Sequence, residues 1–197
     1  MELKDFVYVR KNVFSKEFCD SIIADFESMP TKQSEGRSGA GVNPDVKKSL
    51  DLNLLSEPEM RKKYTKQIFQ GFNQTVREFV FSLPDQDKFE PFHFIFNNNN
   101  TTYDICQMQK YKKGEGHYNA FHFEADQLST TKRQFVFILY LNDVQEGGET
   151  ELLYGGSKIK PEVGSVLVHP AAFPFVHKGH MPISDDKYII TTWLSFS

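Results

Sequence analysis

The 197-residue sequence predicts an α+β protein in which N-terminal helices pack on one sheet of a β-sandwich or jelly roll. Two stretches of the first half carry apolar residues at spacings of three and four, as amphipathic helices do. The second half breaks into short alternating or apolar runs separated by Gly, Pro and Asn, as strands and turns do. A composition that is 39% hydrophobic and 14% aromatic, with 19 Phe, supplies a β-rich core for a chain of this length.

Taken in order, Phe6 to Phe14 reads as a strand and a turn. Ser15 is placed to cap a helix reaching about Met29, with Glu17 in its first turn and Phe18, Ile22, Phe26 and Met29 on one stripe. Pro30 ends it. Thr31 to Leu54 is polar and Gly-rich, which predicts a long loop with little local order, read either as a solvated connection or as a flap. Ser56-Glu-Pro-Glu59 reads as a capping box opening a helix to about Leu83. Met60, Tyr64, Ile68, Phe72, Val76, Phe79, Val80 and Leu83 form its buried stripe, while Arg61, Lys62, Lys63 and Lys66 fall mainly off it as a solvated face. Strands are expected at Phe89–Phe96, Tyr103–Tyr111 and Tyr118–Glu124, with turns at Asn97–Asn100 and Lys112–Gly116. Arg133–Asn142 is almost continuously apolar, so it should be buried on both faces. After the Gly-Gly turn in Glu146–Thr150, strands are expected near Thr150–Tyr154, Ser165–His169, Phe173–His177 and Lys187–Phe196.

Net charge is −3 with a pI near 6.1, and no basic stripe is interleaved with aromatics. That argues against a broad nucleic-acid footprint or a polybasic membrane patch. No apolar run is long enough to span a bilayer, and the charged start Met-Glu-Leu-Lys-Asp lacks a signal-peptide pattern, so a soluble, cytoplasmic protein is expected. Cys19 and Cys106 sit in neither a CxxC nor a zinc pattern and read as buried thiols.

The chemistry concentrates in Tyr111-Lys-Lys-Gly-Glu-Gly-His-Tyr-Asn-Ala-Phe-His122-Phe-Glu124. On a strand, residues i and i+2 share a face at about 6.5–7 Å between Cα atoms, so His122 and Glu124 can converge on one ion. His177 is the candidate third ligand, and two imidazoles plus one carboxylate suit non-haem Fe(II). Asp126 lies too far along the strand to share that ion. His117, His169 and His180 compete with His177, the last two being expected to face solvent, and His93 reads as structural.

From Tyr111 to its end the chain resembles the 2-oxoglutarate- and Fe(II)-dependent dioxygenases of the prolyl 4-hydroxylase-like group. The matching residues are Tyr111, Arg133, Tyr140-Leu-Asn142, Glu146-Gly-Gly-Glu-Thr150, Ile159–Gly164, Val168-His-Pro170, His177, Gly179, Pro182, Ser184, Lys187-Tyr188 and Trp193. One departure is that His122-Phe-Glu124 stands where most of that family carries His-x-Asp. Retention of a carboxylate argues against the halogenase relatives, which lack it.

The resemblance implies a double-stranded β-helix core. It implies a single dioxygenase domain over 1–197, with strands and supporting helices in 1–100 and the metal and cosubstrate core in 101–197. Fe(II) would be held by His122, Glu124 and His177. The far carboxylate of 2-oxoglutarate would lie on Lys187, ten positions after the distal His, with Tyr140 beside it and Tyr111 near the chelating end. Strand alternation from Lys187 lets Thr191 face the same pocket. Arg133 matches a basic residue on the substrate side. The implied reaction uses O2 to hydroxylate an unactivated C–H of a prolyl peptide or a small amino-acid-like substrate, releasing succinate and CO2, with ascorbate as a candidate reductant. Two other classes are weighed against it: a jelly-roll binding module that has lost chemistry, and a nucleic-acid demethylase.

Overall fold

A computed structural model describes residues 2–39, 41–84 and 100–197. The strand expected at Phe89–Phe96, the turn that follows it and His93 lie outside the described residues. In chain order the strands are β1 (Tyr8–Arg10), β2 (Ser34–Glu35), β3 (Lys47–Lys48), β4 (Leu50–Asn53), β5 (Thr101–Tyr111) and β6 (His117–His122). They continue with β7 (Arg133–Tyr140), β8 (Thr150–Leu152), β9 (Lys158–Ile159), β10 (Val166–Pro170), β11 (His177–Gly179) and β12 (Lys187–Phe196). The helices are α1 (Lys16–Glu27), α2 (Pro58–Met60) and α3 (Lys66–Ser82), with a π turn at Arg61–Thr65 joining the last two.

Among the described residues the strands form two antiparallel sheets, β1-β10-β7-β12-β5-β4-β2 and β3-β6-β11-β8-β9. Together they make the double-stranded β-helix. β7 shows why its sequence is apolar throughout. Phe135, Phe137 and Leu139 enter a core shared with the helices, while Val136, Ile138 and Tyr140 enter a second core between the sheets, where Tyr118 and Ile159 of the smaller sheet pack. Phe72 of α3 stacks on Phe137 at 5.0 Å between ring centroids, so the helices cover the outer face of the larger sheet.

Helix α1 is capped as its sequence predicts, Ser15 Oγ accepting from the Phe18 amide at 3.2 Å. The long helix differs at its start. Glu57 precedes it without a side-chain cap bond, and Ser56 Oγ accepts from Asn53 Nδ2 instead. Pro58 opens the first turn and has no N–H to be capped. A stripe at a strict spacing of four drifts by about 40° per step on a 3.6-residue helix. The π turn, with its wider i→i+5 closure, takes up part of that drift, and Met60, Tyr64, Ile68, Phe72 and Val76 are all buried.

Two expected segments are corrected. Thr31–Leu54 is not a loop with little local order, because β4 pairs with β5 from Leu50↔Lys110 to Asn53↔Gln107 and β3 pairs with β6. The alternation Leu50-Asp-Leu-Asn53 is a strand pattern hidden by its charged residue, which is buried against Lys47. Nor is Phe173–His177 a strand: the strand is His177–Gly179, preceded by a turn with a cis Phe173–Pro174 bond. Pro174 has no N–H to give to a ladder. Cys19 and Cys106 are free and buried in the helix-side core.

Candidate active site

β6 and β11 run antiparallel with His122 directly opposite His177. Each ring donates its Nδ1–H to the backbone carbonyl two residues earlier, His122 to Ala120 at 2.9 Å and His177 to Phe175 at 3.1 Å. That fixes both tautomers with the Nε2 lone pairs turned to a common centre. Glu124 is not on the strand as expected. β6 ends at His122, and Glu124 sits in the irregular segment beyond it, its amide donating to Ala171 O at 2.9 Å. Its Oε1 still lies 3.5 Å from His122 Nε2 and 3.3 Å from His177 Nε2. One ligand atom from each of the three residues falls within 4.8 Å of the others, a donor set that can hold a divalent ion. Asp126 is exposed and outside this group.

Burial pushes the Glu124 carboxyl up, but with no metal bound the two histidines, when protonated at Nε2 and donating to it, hold it well below the usual carboxylate range. Arg133 supports it from behind. Nη1 donates to Glu124 O at 3.0 Å and lies 3.5 Å from Oε2, while the guanidinium stacks 3.8 Å over Trp193. Arg133 Nε and Trp193 Nε1 are buried and have no hydrogen-bond partner among the described residues, and both residues line the cavity.

That cavity, about 390 Å3, runs from the three-residue cluster to Lys187. Lys187 is 3% exposed, with its ammonium 5.6 Å from the Tyr111 ring and 5.7 Å from the Tyr140 ring. Among the described residues no carboxylate pairs with it. Burial lowers its pKa to about 8, against a weak opposing pull from Glu149. Tyr140 donates to Thr150 Oγ1 at 2.8 Å and Tyr111 to Gln109 Oε1 at 2.6 Å, and burial raises both phenols. Thr191 faces the same cavity from β12. A buried ammonium without an anion, beside hydroxyls, fits a ligand carboxylate.

Among the described residues the other histidines do not join the cluster. His169, expected to face solvent, is fully buried, because β10 turns it inward behind His177 with 4.9 Å between ring centroids. Burial, then the neighbouring His177, lowers its pKa to about 3. His180 is half-buried rather than exposed, held by Glu151 at 2.5 Å. His117 bonds its own neighbourhood through Glu115 O at 2.9 Å. At the cavity mouth, Gly39 packs so tightly on Gln127 that a Cβ would come within 2.4 Å of Nε2, so the 31–54 segment and the stretch after Glu124 meet there. Lys47 and Asp51, which also line the cavity, were not singled out by the sequence.

Residues 106–195 match the family model of the 2OG-Fe(II) oxygenase superfamily. The match spans all three cluster residues and Lys187. Over that segment, a little under half of its length, the chain is similar to the 2OG-Fe(II) oxygenase superfamily. Members of this superfamily need Fe(II), 2-oxoglutarate and O2.

Among characterised sequences it is similar to Prolyl 4-hydroxylase 13 of Arabidopsis thaliana, 26% identical over 115 residues, covering 47% of this chain and 42% of that one. It is also similar to Probable prolyl 4-hydroxylase 10 of the same plant, 26% identical over 151 residues, 64% of this chain and 50% of that one. The chain thus spans about half the length of the curated relatives it matches. Solved structures share the fold. A viral collagen prolyl hydroxylase from Paramecium Bursaria Chlorella virus-1 superimposes with a TM-score of 0.66 at 19% identity, over 98% of this chain and 97% of that one. A Pseudomonas putida prolyl-4-hydroxylase gives 0.68 at 14% identity, over 98% and 93%. A Trichoplax adhaerens prolyl hydroxylase, solved with a hypoxia inducible factor oxygen degradation domain peptide fragment, gives 0.69 at 14%, over 98% and 84%.

Proposed function

We propose that the whole chain acts as one Fe(II)- and 2-oxoglutarate-dependent dioxygenase domain. It hydroxylates an unactivated C–H of a prolyl peptide or a small amino-acid-like substrate, with release of succinate and CO2. The observation that carries this reading is one cavity with a His-His-Glu cluster at one end and, at the other, a buried ammonium with no anion among the described residues. In it His122, Glu124 and His177 hold Fe(II). Lys187 receives the far carboxylate of 2-oxoglutarate with Tyr140 and Thr191 beside it, and Tyr111 stands near the chelating end.

Bound iron and cosubstrate supply the oxidising chemistry with O2, and the chain supplies binding, orientation and a dry pocket. The Nδ1 bonds of the two histidines orient the rings so that Nε2 is the atom offered to the metal. Arg133 holds the longer Glu124 side chain in place through both its carbonyl and its carboxylate. The unpartnered N–H groups of Arg133 and Trp193 are donors for substrate carbonyls. The prolyl hydroxylase names of the relatives, and the peptide bound to the Trichoplax neighbour, support a prolyl peptide substrate.

The test is anaerobic. Protein mixed with Fe(II) and then 2-oxoglutarate should develop the weak visible charge-transfer band of the chelated keto acid, and His177→Ala should abolish it. Iron binding without that band would refute the Lys187 pocket and favour a binding module.

A further inference from the structure

β6 is bulged just before His122. Across β11, His177 faces His122 and Gly179 faces Tyr118, so Lys178 alone stands opposite Asn119, Ala120 and Phe121. Residues four apart on a regular strand lie about 13 Å apart. Here the rings of Tyr118 and His122 stack nearly parallel, 3.9 Å between centroids and 14° between planes. Bulges re-aim side chains in this way. The carbonyl that accepts the His122 Nδ1–H belongs to Ala120, inside the bulge. Ring contact and ring hydrogen bond therefore depend on the same three residues.

What holds the bulge comes from the first half of the chain. The Asn119 amide donates to Val46 O at 2.9 Å, and Lys47 of β3 pairs in register with Tyr118. Lys47 Nζ lies 5.7 Å from the Tyr118 ring centroid. The ammonium, 4% exposed, is fixed by Asp51 Oδ2 at 2.7 Å, itself 2% exposed. Asp51 Oδ1 accepts from Ser49 Oγ at 2.7 Å. Asp51, Lys47, Tyr118 and His122 thus form one continuous contact chain from β4 to the metal-side imidazole.

We propose that Lys47, Asp51 and Tyr118 are positioning residues for His122: the β3 arm fixes the bulge, and the bulge sets the Tyr118 ring and the Ala120 carbonyl that orient the imidazole. This rests on the metal-centre reading above. The pair acts through packing and hydrogen-bond geometry and touches neither metal nor substrate in this role.

The test uses the full chain stripped of metal and titrated with Co(II) alone, following its visible d–d absorption, with thermal unfolding run in parallel. A Lys47→Met/Asp51→Leu double variant replaces the buried pair with apolar groups of similar size, an exchange that is often neutral for stability. It should bind Co(II) about tenfold more weakly, with a shifted d–d spectrum, as loss of support around a ligand does. Tyr118→Leu should do the same, and Tyr118→Phe, which keeps the ring, should restore wild-type affinity. If the double variant unfolds, Tyr118→Leu against Tyr118→Phe decides. Unchanged affinity and spectrum in folded Tyr118→Leu would overturn the proposal alone. Absence of Co(II) binding in the unaltered chain would overturn the metal-centre reading and the proposal with it.

Discussion

Two lysines are buried in the wall of one cavity, and they differ in what faces their charge. Lys47 has Asp51 at 2.7 Å, an internal counter-ion supplied by the next strand. Lys187 has two aromatic faces and, among the described residues, no carboxylate beside it, and burial lowers its pKa to about 8. A paired buried charge serves the fold. An unpaired one is costly and is relieved when an anion arrives, which is why Lys187 is proposed as the ligand's anchor.

The largest effect should come from breaking the internal pair on one side. Asp51→Ala leaves Lys47 buried without a counter-ion and should lower stability by about 3–5 kcal/mol in urea unfolding. A loss under 1 kcal/mol would mean that the pair is not a structural unit. Next, Lys187→Ala should raise the KM for 2-oxoglutarate about a hundredfold, about 3 kcal/mol, while metal binding is retained. Wild-type behaviour would remove the contrast between the two lysines.

The third prediction uses pH. The folded-state pKa of Lys187, about 8, lies below the ordinary 10.5, so between those values the unfolded chain binds more protons and stability rises with pH. The penalty, about 3 kcal/mol, is complete below pH 8 and relieved toward 10.5. Lys187→Met should flatten that slope in urea unfolding of the empty protein. Affinity for 2-oxoglutarate runs the other way, falling by up to about tenfold per unit above pH 8 as the ammonium is lost. The smallest effect is Tyr140→Phe, which removes the bond to Thr150 and should weaken 2-oxoglutarate binding by tenfold or less, about 1 kcal/mol. Isothermal titration of the metal-loaded chain would measure it.

The strands and helices whose periodicity is local were legible. The stripe from Met60 to Val80 and the two-sided β7 follow from spacing alone. His122, Glu124 and His177 were nameable from residue type and order, yet β6 stops at His122 and Glu124 reaches the centre from outside the strand. Lys47 and Asp51 were illegible because two charged residues in a polar stretch look solvated until β3 and β4 bury them against each other. His169 was misread because its inward turn depends on the register of β10 against β7, which pairs it with Val136. The bulge in β6 has no local signature at all, since it exists only as a count of residues against β11.

Ser49 alone separates β3, in the smaller sheet, from β4, in the larger one. A chimera that imports this β3–β4 segment to alter substrate preference would therefore also import a different setting for the proposed metal site. Any exchange between relatives should move residues 46–51 and 118–121 as one cassette, and a graft that cuts between them should be expected to yield a folded protein that loads metal badly.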